Sequence, residues 1–166
     1  MDIDHIKRMY TEANNLIYDA GILSHNLDQK SDAASFLKIL GFEILLKCTL
    51  LINNQKPKKN HKYYKLWSGL PGNVQSKILQ YSKSRMHDIS DFSNLEELLN
   101  NYQFIFEKVR YFYEFYEGYT LDEQHELGKF WKDIGAPLDE ADVRYYPDEL
   151  ECLIFGISEY IKEKAF

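Results

Sequence analysis

Hydrophobic residues recur at steps of three and four along most of the chain, which is the pattern of amphipathic α-helices. Over residues 2–25 this stripe consists of Ile3, Ile6, Tyr10, Ala13, Ile17, Ala20 and Ser24. The segment at 35–53 is apolar on almost every side, as expected of a helix at the centre of a bundle. No alternating pattern of useful length predicts a strand. The sequence therefore predicts an all-α fold, an up-and-down bundle of four to five main helices.

Turn and cap residues place the later helices. These are predicted at 63–70, 71–83, 94–118, 121–131 and 147–166. Pro57 and its polar neighbours are expected to end the second helix. Ser93 and Glu96 fit a capping box that would open the helix near Asn94. The 166 residues are predicted to form one helical domain, with a less regular segment at 119–146.

The predicted helix at 94–118 has two apolar sides. Its core stripe consists of Leu95, Leu99, Tyr102, Phe106, Val109, Tyr113 and Tyr116. A second strip, on the far side of a polar stripe, consists of Phe104, Tyr111 and Phe115. One side can face the core of the chain, but the second must meet either the last helix or another chain. Both readings stay open, and the second predicts a homodimer interface or contact with a different protein partner.

Arg110 lies in the polar stripe that separates these two sides. It has an acidic residue one turn away in each direction, Glu107 at i−3 and Glu114 at i+4. Side chains at these spacings share a helix face, and opposite charges there attract each other. Between two packed surfaces such pairs would be partly buried, which favours a structural role for Arg110.

Charge narrows the choice of partners. The chain has 26 acidic and 20 basic residues and a net charge of −6, which argues against coating nucleic acid or an anionic membrane with its whole surface. One stretch differs, because cations alternate with rings in Lys56, Lys58, Lys59, His61, Lys62, Tyr63, Tyr64, Lys65 and Trp67. Lysines and rings together hold phosphates and stack bases. The stretch is either a solvated loop whose rings fold into the core or a binding site for RNA or a nucleotide.

The remaining sequence patterns concern location, the cysteines and metal or cofactor motifs, and none of them indicates a catalytic or metal site. The amino-terminal stretch MDIDHIKRMY lacks a signal core, and the apolar run at 44–52 is too short to span a bilayer, so we expect a cytoplasmic protein without membrane association. Cys48 and Cys152 lie in apolar stretches and are predicted to be core residues. No histidine or cysteine spacing fits a metal, and no cofactor motif is present, so neither is expected.

The run GFEILLKCTLLINNQKPKKNHKYYKLWSGLP resembles the second helix and following turn of HEPN domains, a family of small helical-bundle proteins. Typical members have a Glu-x-x-x-Lys helix, a turn with glycine, proline or lysine, a histidine and then a leucine. The corresponding residues here are Glu43, Lys47, His61 and Leu66. The segment FEKVRYFYEFYE resembles the later helix of the family, which carries a characteristic arginine, here Arg110.

The resemblance covers roughly residues 1–117 and is strongest over 36–70 and 95–117. It implies a bundle of four or five helices that usually dimerises, with the arginine helices near the two-fold axis. The binding site for RNA or a nucleotide is predicted beside the second helix, and its predicted residues are Lys47, Lys58, Lys59, His61, Lys62, Tyr63 and Tyr64.

Many HEPN proteins are metal-independent ribonucleases whose site is an arginine followed, four to six residues later, by a histidine. Counting from Arg110, none of these positions is a histidine. The resemblance therefore implies a non-catalytic protein that binds another molecule, RNA or a nucleotide, in bacterial defence or toxin–antitoxin systems. One alternative is a divergent ribonuclease that uses Arg110 with Glu114, Tyr116 or His61, although tyrosine is a weak base near neutral pH. Another is a structural subunit that binds a partner protein.

Overall fold

A computed structural model describes residues 2–26, 32–57, 59–86, 90–137 and 141–166, with the backbone only for Asn26, Arg110 and Phe112. The described residues form seven α-helices and no strand, which confirms the all-α prediction. The helices are α1 (Ile3–Asn26), α2 (Asp32–Ile52), α3 (Tyr63–Ser68), α4 (Gly72–Arg85), α5 (Leu95–Glu107), α6 (Leu121–Asp133) and α7 (Pro147–Ala165). A 3₁₀ segment, Val109–Tyr116, follows α5.

α2 lies at the centre of the core. Helices α1, α3, α5 and α7 pack against it, and α4 packs on α7. Its buried residues are Ala34, Ile39, Gly41, Phe42, Glu43, Leu45, Leu46, Cys48, Thr49 and Leu50. The hydroxyl of Tyr160 on α7 donates a hydrogen bond to Asn53 at the end of α2, at 2.9 Å. The apolar circumference seen in the sequence is therefore matched by neighbours on several sides.

Two glycines allow helices to approach closely. A Cβ atom at Gly41 would lie 2.7 Å from a side-chain carbon of Ile17, where α1 meets α2. At Gly156, where α7 meets α4, it would lie 2.5 Å from the carbonyl oxygen of Ile78 and 2.2 Å from Oγ of Ser82. These distances are shorter than van der Waals contact, so the two crossings require a residue without a side chain.

A polar contact also joins α4 to α7. Glu163 accepts hydrogen bonds from Lys77 at 2.6 Å and from the hydroxyl of Tyr81 at 2.7 Å. Together with Lys164, these donors lower the pKa of the Glu163 carboxyl from 4.5 to about 2. The ionised carboxylate is therefore favoured by the folded state.

The predicted helix at 94–118 is wrong in its second half. α5 ends at Glu107, and the 3₁₀ segment that follows contains a non-helical residue, Tyr111, with φ −112° and ψ 46°. A 3₁₀ helix has about three residues per turn rather than 3.6, so positions assigned by an α-helical wheel do not hold beyond α5. Tyr113, assigned to the core stripe, is 72% exposed.

The second aromatic strip is consequently not one continuous helix face. The rings of Phe104 and Phe115 contact each other at 6.2 Å, whereas Tyr111 contacts Tyr113 at 6.3 Å. All three predicted strip residues are exposed. Helix α7 packs on α4 and α2, and it does not bury the strip. A partner at this surface stays a prediction.

Helix caps differ from prediction by one position. The side chain of Asn94, rather than Ser93, accepts the hydrogen bond from the backbone N–H of Glu97, at 3.3 Å. A full capping box is instead present at the start of α6, between Thr120 and Glu123. α7 begins at Pro147, and α6 lies within two residues of the predicted boundaries.

We expect Gly156→Ala to lower the free energy of unfolding by about 1–3 kcal/mol, because the new methyl group overpacks the α4–α7 crossing. Chemical denaturation followed by circular dichroism measures the change. Gly21→Ala is the matched control, since a Cβ there meets nothing within 4 Å. The control should be stabilised by about 0.5–1 kcal/mol through helix propensity. Equal stability of the two variants would contradict the close approach.

We expect Glu163→Gln to melt at a lower temperature than the wild type at pH 7. Because the folded-state pKa of this carboxyl is depressed, its contribution is complete above pH 4.5 and is lost as the pH falls towards 2. The difference in melting temperature should therefore shrink across that range. Glu12→Gln, at an exposed position on α1, is the control. A difference that stays constant down to pH 2 would exclude this linkage.

Candidate nucleic-acid interface

A Schellman motif reverses the chain after α2. Asn54 has φ +58°, and the backbone N–H groups of Asn54 and Gln55 donate to the carbonyls of Leu51 and Leu50 at 3.0 and 2.8 Å. Asparagine tolerates this left-handed conformation better than most residues, which explains why α2 ends before Pro57, not at it. The following residues, 55–62, are called the basic loop here. The loop runs back beside α2.

The basic loop brings His61 to a buried carboxylate in α2. Glu43 is only 2% exposed. One of its oxygens accepts from Nζ of Lys47 at 2.6 Å, and the other accepts from Nδ1 of His61 at 2.8 Å. Glu43 lies nine residues before the end of α2, so the loop returns about 14 Å along the helix. These three residues are called the Glu43 cluster.

Lys47 and His61 compensate for the burial of the negative charge of Glu43 in α2. A buried carboxylate is tolerated only when it is paired and hydrogen-bonded, and both oxygens of Glu43 have partners. Lys47 and His61 reach solvent, with 21% and 49% of their side chains exposed. A carboxylate only accepts hydrogen bonds, so the Nδ1 atom of His61 carries the proton and, in the neutral ring, Nε2 is the acceptor.

The side chain of His61 also contacts an aromatic residue of α5. The His61 ring packs on Phe106 with centroids 4.8 Å apart. Tyr63 is fully buried against Phe42 and Phe106. Burial, followed by the negative charge of Glu43, raises the pKa of Tyr63, and its hydroxyl makes no hydrogen bond of normal geometry among the described residues. Tyr63 is a core residue, so the prediction that it contacts a ligand is wrong.

A pocket of about 170 Å³ opens between the basic loop and α3. Its lining residues are Leu50, Gln55, Lys56, Asn60, Lys65, Leu66 and Gly69. Lys56 and Lys65, nine positions apart in the sequence, therefore line the same cavity. Gln55 and Asn60, whose side chains are amides, line it as well. None of the polar lining residues is in the predicted binding set, although Lys56 and Lys65 belong to the basic stretch recognised in the sequence; these residues are Gln55, Lys56, Asn60 and Lys65. The two amides can donate hydrogen bonds to an anion.

Three of the remaining predicted binding residues are at least partly accessible. Lys59 and Lys62 are exposed, and Tyr64 is half-buried. Lys58 lies outside the described residues. The structure therefore brings Lys47 and His61 together through Glu43, and it leaves Lys59 and Lys62 accessible on the basic loop.

The arginine-centred ribonuclease prediction involves a different part of the chain. The Arg110 side chain lies outside the described part of the structure. Glu114 is exposed, and the half-buried Tyr116 packs on Tyr119 at 6.4 Å. Both belong to the 3₁₀ segment and neither is a member of the Glu43 cluster. His61 is the one candidate catalytic residue that the cluster contains.

The cysteines have no ligand geometry. Cys48 and Cys152 are buried, as predicted, and burial raises the pKa of the Cys48 thiol to about 11 and also raises that of Cys152. Over the ranges that the structure describes, no three histidine, cysteine, aspartate or glutamate side chains are placed to hold a metal ion. In the same ranges, no helix combines the length and apolar character needed to cross a membrane.

Comparison with known proteins adds no relative: no family model, curated protein or solved structure matches the chain. The HEPN resemblance consequently depends on the motif residues alone. Three of the four residues that carry it over 36–70 are the members of the Glu43 cluster, and the fourth, Leu66, is a buried residue of α3.

We expect Glu43→Ala to lower the free energy of unfolding by about 1.5–3 kcal/mol, because its charge-assisted hydrogen bonds to Lys47 and His61 are lost. The matched control is Glu159→Ala, which removes a carboxylate from an exposed helical pair with Lys162. An exposed pair contributes less than about 1 kcal/mol. Urea unfolding measures both variants. Similar losses in the two would show that the Glu43 pairing stabilises no more than a surface salt bridge.

Proposed function

We propose that this chain is a HEPN-like, non-catalytic protein that binds single-stranded RNA through the basic loop and α3. The observation that carries the proposal is the convergence of Lys56 and Lys65 with two amides on one pocket of an acidic protein. Local concentration of positive charge against a net negative background favours a specific anionic ligand over general adhesion. Phosphate is the anion that lysine and amide donors commonly hold.

The size of the pocket favours a phosphate of a polymer over an enclosed nucleotide. Pockets that enclose a whole small molecule measure about 300–1,000 Å³, and this one is smaller, at about 170 Å³. Exposed Lys59 and Lys62 extend the positive charge beyond the pocket along the basic loop. A chain of phosphates would contact both parts, whereas a free nucleotide would occupy only one. RNA and nucleotide share the same recognition chemistry, so both are included in the test below.

His61 supplies the second element of such a site. Its ring contacts Phe106 with the two planes tilted by 41°, and about half of its side chain stays exposed. An exposed ring positioned by such contacts can stack with an unpaired base. Lys47 adds little net charge, because Glu43 neutralises it, so the role of the cluster is to fix the position of the His61 ring.

A second candidate function, RNA cleavage, is favoured by the hydrogen bond that orients His61. Nδ1 donates to Glu43, which leaves Nε2 to accept the proton of a ribose 2′-hydroxyl. The 2′ oxygen would form a bond to phosphorus as the bond from phosphorus to the 5′ oxygen breaks, and the 5′ oxygen would take a proton from water. This site would differ from the arginine-centred one that the resemblance implies.

The biological setting in the proposal is the one implied by the family resemblance, bacterial defence or a toxin–antitoxin system. Its support is the joint occurrence of the motif residues Glu43, Lys47 and His61 in one hydrogen-bonded cluster. A protein that binds RNA without cutting it would act in such a system by holding a transcript or a partner. No part of the binding test below depends on this setting.

We expect Lys56→Glu/Lys65→Glu, at the two lysines of the pocket, to weaken binding of a short fluorescein-labelled single-stranded RNA by roughly tenfold or more, because lysine–phosphate attraction supplies most of such affinity. Fluorescence anisotropy measures this affinity. Repetition over a salt series should show a salt dependence whose slope is smaller by about 0.7 for each phosphate that the variant no longer neutralises. A fluorescent ATP analogue in parallel distinguishes a nucleotide site from an RNA site.

The matched control is Lys7→Glu/Lys83→Glu, which makes the same charge change at exposed lysines of α1 and α4. An equal loss of affinity in both variants, or no binding by the wild type near physiological salt, would refute the basic loop as the RNA-binding surface. The same mixtures analysed on denaturing gels test the second candidate. Cleavage by the wild type that is absent in His61→Gln would replace the non-catalytic proposal with the ribonuclease one.

A further inference from the structure

A cavity larger than the one at the basic loop runs along one side of α6. Its volume is about 450 Å³, within the range of about 300–1,000 Å³ for pockets that hold small molecules. Tyr116 of the 3₁₀ segment lines it together with residues of α6, which are Leu121, Gln124, His125, Gly128, Lys129 and Lys132. This cavity is called the α6 groove. It is large enough for a small organic molecule.

The α6 residues of the groove share one helix face. They stand at i, i+3, i+4, i+7, i+8 and i+11, and at 3.6 residues per turn these positions cover less than half of the circumference. From Leu121 to Lys132 the face extends about 16 Å along the helix axis. Leu121, which is 84% exposed, begins the face, and Lys129 and Lys132 end it. One end of the groove is thus apolar, and the other is cationic.

The acidic residues of α6 lie on another side of the helix. There are four, Asp122, Glu123, Glu126 and Asp133, and none of these described residues lines the groove. Lys129 stands at the border between the two sides. Its Nζ lies 3.6 Å from the carboxylate of Glu126, and both side chains are exposed. An exposed pair of this kind contributes little, so Lys129 can exchange Glu126 for the anionic group of a ligand.

The other donors of the groove are not engaged by acidic groups. His125 and Lys132 are exposed, and neither makes an ion pair with any described residue. Gln124 adds a side-chain amide to the lining. Lysine is a common ligand of phosphate. The charge of two lysines matches a phosphate monoester, which carries about −1.5 to −2 near neutral pH, better than it matches a single carboxylate.

Gly128 leaves the middle of the groove open. Its backbone is helical, and a Cβ atom there would meet nothing within 4 Å, so neither conformation nor close packing requires a glycine. Gly41 and Gly156 differ, because each lies at a helix crossing. Glycine also weakens a helix interior. The missing side chain does provide space in which a ligand can approach the helix backbone.

We propose that the α6 groove binds a small phosphate monoester that carries an apolar or aromatic group. Its phosphate is held by Lys132, His125 and Lys129, and its organic group lies over Gly128. This site shares no residue with the basic loop. It takes a whole small molecule rather than one phosphate of a polymer, and it is independent of whether the chain binds RNA.

The probe for the test is para-fluorophenyl phosphate, whose binding to the full chain is followed by fluorine NMR. The wild type should bind it at least about tenfold more tightly than para-fluorophenol, which cannot make the charge-assisted hydrogen bonds. Inorganic phosphate should displace the probe only at about tenfold higher concentration or more, because it lacks the apolar group that the groove covers.

Two variants locate the probe. Gly128→Leu fills the middle of the groove and Lys132→Gln removes a charge, so each should weaken binding by at least about tenfold. The matched controls are Gly21→Leu, at a glycine of α1 whose Cβ also meets nothing within 4 Å, and Lys83→Gln, at an exposed lysine of α4. Circular dichroism of Gly128→Leu should show no loss of helix, since leucine is the better helix former.

Three results would overturn the proposal. The first is no binding of the probe by the wild type at millimolar concentration, or equal binding of para-fluorophenol. The second is an equal loss of affinity in the groove variants and their controls. The third is binding that Lys56→Glu/Lys65→Glu abolishes and Gly128→Leu leaves unchanged, which would assign the phosphate to the basic loop.

Discussion

α2 has no polar side wide enough to face water, and this constraint determines the arrangement of the other helices. Its residues are apolar around most of the circumference, so the hydrophobic effect favours their removal from solvent on all sides. Helices α1, α3, α5 and α7 supply that cover. The cover is close because Gly41 has no side chain at the crossing with α1. The packing of the four neighbouring helices around α2 therefore determines the architecture of this fold.

The same burial explains why the candidate site lies where it does. Once α2 is enclosed, the carboxylate of Glu43 must be paired, since an isolated buried charge costs several kcal/mol. Lys47 is available one turn away in the same helix, but His61 reaches Glu43 only because the Schellman motif at Asn54 reverses the chain. The basic loop is therefore held against α2 by a requirement of the core. A surface that could bind an anion is a consequence of that placement.

Sequence periodicity predicted the helices wherever one backbone geometry persists. It located α1, α2, α6 and α7 to within a few residues, because regular spacing reports a regular structure. The 3₁₀ segment could not be predicted in this way, since nothing in the aromatic run before Gly118 marks where the α-helix stops. Periodicity also cannot predict contacts between residues that are distant in the sequence. The Glu43–His61 hydrogen bond spans 18 positions, and only the family resemblance indicated that these residues belong together.

Two parts of the chain depart, in opposite senses, from the rule that polar groups face water and apolar groups are buried. At Glu43 a charge is buried, and every oxygen of the carboxylate has a partner within the chain. Around α6 apolar rings are exposed, and no described residue of that helix is buried by the rest of the chain. The first departure is compensated internally and therefore stabilises the fold. The second has no cover among the described residues, and exposed apolar surface of this extent is typical of interaction sites.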